Sequence, residues 1–458
     1  MKNIFKIREA IFIRNEFKRN IWITTFGNSV GYLIGFLFTP FIARVYLPDA
    51  YGAFAIFNSI AINLTLFTTL NYNNAIILPK SDNEVIRLLQ LILILLFLNF
   101  CINYILVIFG GQLFVKFLKL DQIGSWIYFI PLIVFFSGIN QSFIALANRL
   151  KDFRDFSKSK IISIGISKSY TLGYGYLFSG RLSGLIMGEF LIKVINIVLI
   201  VSNRSRAILN KILHFNIQEI LQVAKIYKNY PIYYLPASWF LILINQIPLY
   251  FFTKYYGASN AGYFAFALSI LNIPVLFFSN SISAVFIQKA STYYPENMGK
   301  LRAVSIDLIR VLVLFSSFAF GLIFGFGDII FRLLLGDNWT NAGHFASFLS
   351  LGFVFYFISI PFNTLFRILK KERQFLIINL SFFIIILVTF IMLIDSRIEY
   401  ILLIYSIEYG IYSLMILTYI GFQLSFGSSY AVLIKSMAII LTTFILFYLL
   451  RYIIDMLQ

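Results

Sequence analysis

Few side chains in this sequence can do chemistry in water. Cys101 stands alone, which excludes an internal disulfide and leaves the redox compartment open. The two histidines, His214 and His344, join no Cys or carboxylate cluster at metal-ligand spacing, and there is no phosphate-cradling glycine loop or nucleophile elbow. Neither a cofactor nor a catalytic residue is therefore expected. Charge is scarce as well, at 12% of residues against about a quarter in an average soluble domain. The deficit falls mostly on the acids: 19 Asp and Glu face 37 Lys and Arg, and the pair Asp152 and Asp155, three residues apart, sits in a basic loop and reads as solvated.

What fills the chain instead is apolar. Hydrophobic residues make up 60% of it and the mean hydropathy is +0.86, which places it as an all-α polytopic membrane protein. The net charge of +18 does not point to nucleic acid, because a duplex-binding surface needs its cations on one face of a folded domain and these lie in short loops between apolar runs. Residues 1–20 are basic, and the run Ile21 to Ala43 is too long for a signal h-region and has no small-residue cleavage site. It reads as an uncleaved first span.

A span needs about 20 mostly apolar residues. Thirteen stretches qualify: 21–43, 52–72, 88–109, 124–148, 161–178, 182–202, 231–253, 261–287, 304–327, 342–366, 375–394, 399–420 and 432–453. With the N-terminus in the cytoplasm, 26 of the 37 Lys and Arg fall on the cytoplasmic side and eight on the other, so the positive-inside rule fixes that orientation. The expected organisation is a basic cytoplasmic segment 1–20, a six-helix lobe 21–202, a cytoplasmic linker 203–230, a second six-helix lobe 231–422 and an additional helix within 423–458. Leu213, Ile217, Ile220, Leu221 and Ala224 recur at helical spacing in the linker, which predicts an interfacial helix over 212–226.

The lobes carry a repeat. Phe41, Arg44, Tyr46, Gly52, Phe54, Ala55 and Ser59 recur 210 residues later as Phe251, Lys254, Tyr256, Gly262, Phe264, Ala265 and Ser269. Each copy is the end of one apolar segment, a Tyr/Gly turn and the start of the next. Six spans separate the copies, so both point the same way and the repeat is parallel.

Several motifs, in order, resemble the O-antigen-type polysaccharide flippases of the multidrug/oligosaccharidyl-lipid/polysaccharide exporter superfamily. They are Gly27-Asn28 through Pro40 with Ala43 to Gly52; Ala75 to Ser81 with Asn83-Glu84; Asn148-Arg149 with Lys151 and Phe153-Arg154; Leu235-Pro236-Ala237 with Gln246-Ile247-Pro248; and Leu335 to Trp339 with Ala342-Gly343. The resemblance covers about residues 21–420. It implies translocation of undecaprenyl-pyrophosphate-linked oligosaccharide across the bacterial inner membrane by alternating access, with the bilayer, a polysaccharide polymerase and a chain-length regulator as partners and no nucleic acid. Departures occur where relatives often carry Arg and Glu and this chain has Asn71 and Asn73, and where they carry Arg and it has Ser269.

An ionisable residue at mid-membrane costs about 2.5–3.5 kcal/mol on insertion scales, so each is a functional candidate. Lys168 is central in span five, and Ile164 and Leu172, one turn away, cannot pair with it. It either binds substrate or counter-charge or hydrogen-bonds backbone carbonyls. Glu189 and Lys193 share a face of span six at i,i+4 and form either an internal ion pair or a titrating site. Glu408 in span twelve lacks a charged helical neighbour and is either an ion-coupling carboxylate or a protonated, hydrogen-bonded one. Arg44 and Lys254, repeat-related at the outer ends of spans one and seven, either anchor helix ends or meet an emerging pyrophosphate. Asn28, Gln141, Asn245 and Gln246 suit sugar hydroxyls and equally suit helix–helix contacts. Pro40, Pro131, Pro236, Pro248, Pro274 and Pro361 fall within spans, where kinks or hinges are expected.

Two readings compete with flipping. A small-molecule or cation antiporter of the drug-export branch predicts an acidic interior, against which Lys168 and Lys193 weigh. A membrane polysaccharide polymerase or glycosyltransferase predicts a large external loop or a catalytic acid constellation, and the sequence has neither.

Overall fold

The computed structural model describes residues 30–457 apart from 80, 118–122, 202–204, 207, 209, 214 and 427–429. Asn28, His214, the basic segment 1–20 and the start of the first expected span lie outside the described residues. Among those described, the backbone is helical and forms no strand. That follows from the composition, since a chain in hydrocarbon must satisfy every N–H and C=O internally.

The first half runs α1 (Val30–Val45), α2 (Pro48–Thr68), a 3-10 turn at Tyr72–Ile77, α3 (Asp82–Phe117), α4 (Ile130–Leu150), α5 (Phe153–Leu177), α6 (Leu182–Ile200) and the short α7 (Ile217–Ile226). The second runs α8 (Leu235–Tyr256), α9 (Ala258–Tyr293), α10 (Met298–Leu335), α11 (Thr340–Asn363), the short α12 (Leu365–Ile368), α13 (Glu372–Met392), α14 (Ile398–Gln423) and α15 (Tyr430–Leu457). A helix thus stands in the described part of each of the thirteen expected spans. Ten helical stretches of described residues are long and apolar enough to cross a membrane, and Val30–Val45 is a shorter apolar helix. Helix α5 is not among the ten because its packed face is hydroxylic rather than apolar, with Ser163, Ser167, Thr171 and Gly175 all buried.

Two compact units emerge. One holds the described residues up to Tyr46 together with Ile56–Trp239; the other holds Leu47–Ala55 and everything from Phe240 onward.

In the first unit, small residues let α1, α5 and α6 approach closely, as is usual between membrane helices. The Ser167 hydroxyl donates to the Gly188 carbonyl at 2.6 Å, and Tyr46, fully buried, donates to the Thr171 carbonyl at 2.8 Å. Helix α3 has 36 residues, roughly 54 Å at 1.5 Å per residue, so it outruns a core about 30 Å thick. Its first turns pack against α7 and the segment before it: Arg87 meets Glu219 at 2.6 Å, and Gln90 donates to the Ile212 carbonyl at 2.7 Å. The helix expected over 212–226 begins only at Ile217, because Asn216 is extended and caps it by accepting from the Glu219 N–H at 3.4 Å. Ile220 and Val223 face the core, while Leu213, Ile217 and Leu221 stay exposed.

In the second unit, Tyr256 repeats the role of Tyr46, donating to the Ser396 carbonyl at 2.5 Å and to that of Ile394 at 3.1 Å. Gly52 and Gly262, also repeat-related, cross at the starts of α2 and α9, where a Cβ on Gly52 would stand 1.9 Å from the Ala258 carbonyl oxygen and one on Gly262 2.1 Å from that of Pro48. The Ser259 hydroxyl hydrogen-bonds Asp49 beside this crossing. Trp339, fully buried, packs on Phe266 at 4.2 Å between ring centroids and on Tyr51 at 5.6 Å. Gly336 ends α10 at φ 102°, a conformation that favours glycine and that turns the chain so that Trp339 points inward.

The proline expectation needs one correction. Pro131 occupies the first turn of α4, where a missing N–H leaves no hydrogen bond unmade, so it starts the helix rather than kinking it. Pro248, Pro274 and Pro361 do lie inside helices.

Candidate functional site

The polar interior of the first unit is built on α4, α5 and α6. Because the α5 and α6 backbones meet at Ser167 and Gly188, the next residue on each, Lys168 and Glu189, also come together. Glu189 is hydrogen-bonded to Lys193 one turn along α6, with both side chains about a fifth exposed (20% and 22%). The charges of Glu189 and Lys193 both act on Lys168. Three of the ionisable candidates therefore form one cluster of two cations and one carboxylate. The counter-charge that the sequence could not supply for Lys168 on its own helix acts from the neighbouring one.

Amides extend this cluster along the unit. One turn beyond Lys193, Asn196 donates to Asn140 Oδ1 at 2.7 Å, and its own Oδ1 is buried with no partner among the described residues. Beside Asn140, Gln141 is exposed in mid-helix and accepts from Asn73 at 3.5 Å. Thr69 donates to Asn73 Oδ1 at 2.9 Å, and Asn71 donates to Ser238 Oγ at 3.5 Å while accepting from Asn74. Asn71 stands at φ 66° after Leu70 at φ 44°, so the end of α2 turns through two left-handed residues and presents three amides together. Asn71 and Asn73, noted above as departures from relatives, are buried members of this neutral network.

The second unit has a different interior. Tyr409 donates to Asn245 Oδ1 at 2.6 Å and Tyr412 to Asn379 Oδ1 at 2.9 Å. Phe382 stacks on Tyr412 at 4.3 Å, and Tyr405 packs on Tyr409 at 5.0 Å. Glu408 accepts from the Thr389 hydroxyl at 2.5 Å, and its second oxygen is buried with no partner in the described structure.

The remaining candidates stand apart from these clusters. Arg44 is exposed at the end of α1, Lys254 is half-buried with its ammonium 5.4 Å from the Tyr255 ring, and Gln246 is half-buried. Asn63 and Asn272 bond back to their own helices, donating to the Ser59 and Leu268 carbonyls at 2.9 and 2.8 Å. Sequence reasoning passed over Asn196 and Asn379. Helical spacing offered a signal for Asn196, which lies at i+7 from Glu189 on the same face of α6.

A family model described as "Polysaccharide biosynthesis protein" matches residues 41–344. The chain belongs to that family. The matched segment includes α2 to α10 whole, and with them every member of the Lys168 and Asn73 clusters. No curated relative matches in sequence. Among solved structures, this family member is similar to the lipid II flippase MurJ in an inward closed conformation, with a TM-score of 0.64 and 16% identity over 95% of this chain and 99% of that one. It is also similar to an inward-facing multidrug resistance MATE transporter of the MOP superfamily, at 0.62 and 13% over 88% and 94%. A MOP superfamily transporter from Pyrococcus furiosus aligns at 0.56 and 14% over 89% and 96%. At such identities the likeness shows the fold, which is that of the MOP-superfamily transporters.

Proposed function

We propose that this protein flips undecaprenyl-pyrophosphate-linked oligosaccharide repeat units from the cytoplasmic to the outer leaflet of a bacterial inner membrane by alternating access. The observation that carries the reading is the Lys168, Glu189 and Lys193 cluster, an excess of positive charge held inside a helical unit of a polysaccharide biosynthesis family member. A pyrophosphate crossing hydrocarbon needs cations to replace its water, and an intramembrane charge is retained where function requires it. The neutral amides of Asn73, Gln141 and Asn140 offer paired donors and acceptors of the kind that sugar hydroxyls take. In this reading Glu189 holds the two lysines in place between substrates, and a phosphate oxygen displaces its carboxylate from one of them.

Arg44 and Lys254 serve at the outer end, where a cation guides the emerging head group. Asn28, Asn245 and Gln246 are further sugar contacts, and Glu408 couples transport to an ion gradient. The likeness to a lipid II flippase supports a lipid-linked glycan as the cargo class. A drug antiporter is disfavoured, because an organic cation gains nothing from a site with two lysines to one carboxylate.

The test is complementation of a flippase-null strain at matched expression. Lys168→Gln and Lys193→Gln each reduce surface polysaccharide at least tenfold, and the double variant abolishes it. Full surface polysaccharide from the double variant would remove the cationic site from the account.

A further inference from the structure

The α10–α15 seam is tight at one end and open at the other. The helices run parallel: Asp328 meets Arg451 at 3.0 Å near the far end, and Gly321 and Gly325 admit Phe447 so closely that a Cβ on Gly325 would stand 2.9 Å from its carbonyl oxygen. At the other end, where both helices begin, they part around a cleft of about 340 Å³. Val313, Val432 and Ile439 give it apolar walls, and Arg310, Lys435 and Ser436 supply its polar groups. A seam that closes this well along half its length is not open through poor docking.

The polar side of the cleft is positive. Arg310 pairs with Asp307 at 3.2 Å, but both side chains are mostly exposed (62% and 71%), which makes the pair weak and readily exchanged. Lys435 is exposed and has no ion-pair partner among the described residues. Lys435 lies between one and two turns in from the start of α15 and Arg310 about three turns in from the start of α10, whose 38 residues outrun a core about 30 Å thick, so both fit head-group level. The volume is near the lower end of the roughly 300–1,000 Å³ of small-molecule sites, enough for a single chain and too little for a glycan.

We propose that this cleft binds one anionic glycerophospholipid of the cytoplasmic leaflet, with the phosphate on Arg310 and Lys435 and one acyl chain between Val313, Val432 and Ile439. Charge complementarity and the apolar wall select that occupant together: a free anion would leave the wall wet, and an uncharged lipid would leave Lys435 without a partner. The lipid fills the part of the seam that protein does not, and so fastens the last helix to α10. This inference is independent of what the protein transports.

The test uses the full chain, purified in detergent and stripped of lipid, with retained lipid counted by native mass spectrometry. One phosphatidylglycerol per chain is expected to bind, at least tenfold more tightly than phosphatidylethanolamine. Lys435→Gln weakens it at least fivefold, and Val432→Trp, which fills the wall, does the same. Because Lys435 is exposed, Lys435→Gln leaves the melting temperature of the stripped protein unchanged while removing the rise that phosphatidylglycerol causes in the wild type. Equal retention of the two lipids, or unchanged retention in both variants, would overturn the proposal. So would stoichiometric displacement of phosphatidylglycerol by undecaprenyl phosphate, which would make the cleft part of the cargo path.

Discussion

Glu189 is the residue on which two lysines depend. Replacing it by Ala leaves Lys168 and Lys193 facing each other with no counter-charge in a site that is only about a fifth exposed. Breaking a buried pair from one side costs about 3–5 kcal/mol. Glu189→Ala is therefore expected to lower the melting temperature in detergent, and Glu189→Ala/Lys193→Ala to recover part of the loss, since the double change removes one of the two uncompensated lysines and its repulsion on the other. Glu408 is a different case. Its one hydrogen bond, from Thr389, survives in Glu408→Gln because the amide oxygen still accepts it. That variant keeps its stability, and if Glu408 couples transport, its flipping rate in proteoliposomes no longer responds to an imposed ion gradient.

How much of the site the sequence shows is decided at this scale. Glu189 and Lys193 were legible as a pair because i,i+4 spacing places them on one face whatever surrounds the helix. That Lys168 joins them was not, because it depends on where α5 crosses α6, and the crossing is set by Ser167 and Gly188, two small residues with no chemistry of their own. The same holds for Asn196 and Asn379, whose partners, Asn140 and Tyr412, come from other helices.

Among the elements, the crossing of α2 and α9 is the least forgiving. A Cβ on Gly52 or Gly262 meets a carbonyl oxygen at 1.9 or 2.1 Å, and backbone does not swing aside as a side chain does. Gly52→Val and Gly262→Val are each expected to reduce the monodisperse fraction on size-exclusion chromatography several-fold, whereas Gly299→Ala, where the added carbon meets only the tip of Asn297 at 3.9 Å, leaves it unchanged. The repeat at Gly52 and Gly262 is readable in the sequence, but as a similarity. Its physical content, two glycines bringing two helix starts into contact, appears only with coordinates. For α15 the sequence offered an apolar run and no reason for it. The structure supplies one in Phe447 against Gly321 and Gly325, and in Arg451 against Asp328. Arg451→Ala leaves Asp328 unpaired in a site 20% exposed and is expected to destabilise the protein by about 3 kcal/mol or more, measured by thermal unfolding.

At the scale of the whole molecule, composition and apolar run length were enough to place a helix at thirteen stretches, because a continuous apolar run of about 20 residues satisfies its own backbone in lipid as a helix. Parallel packing of α10 and α15 also agrees with the alternation of crossings: with spans nine and thirteen, an even number of reversals lies between them. The central claim, that a cationic site inside the helical bundle carries a lipid-linked pyrophosphate across the membrane, is tested most directly by reconstitution. Purified protein in proteoliposomes loaded with an undecaprenyl-pyrophosphate oligosaccharide should make the glycan on the inner leaflet accessible to an added glycosidase at a rate well above protein-free vesicles. The Lys168→Gln/Lys193→Gln variant, folded to the same extent, should fall to the protein-free rate. Equal rates for the wild type and the double variant would contradict the account.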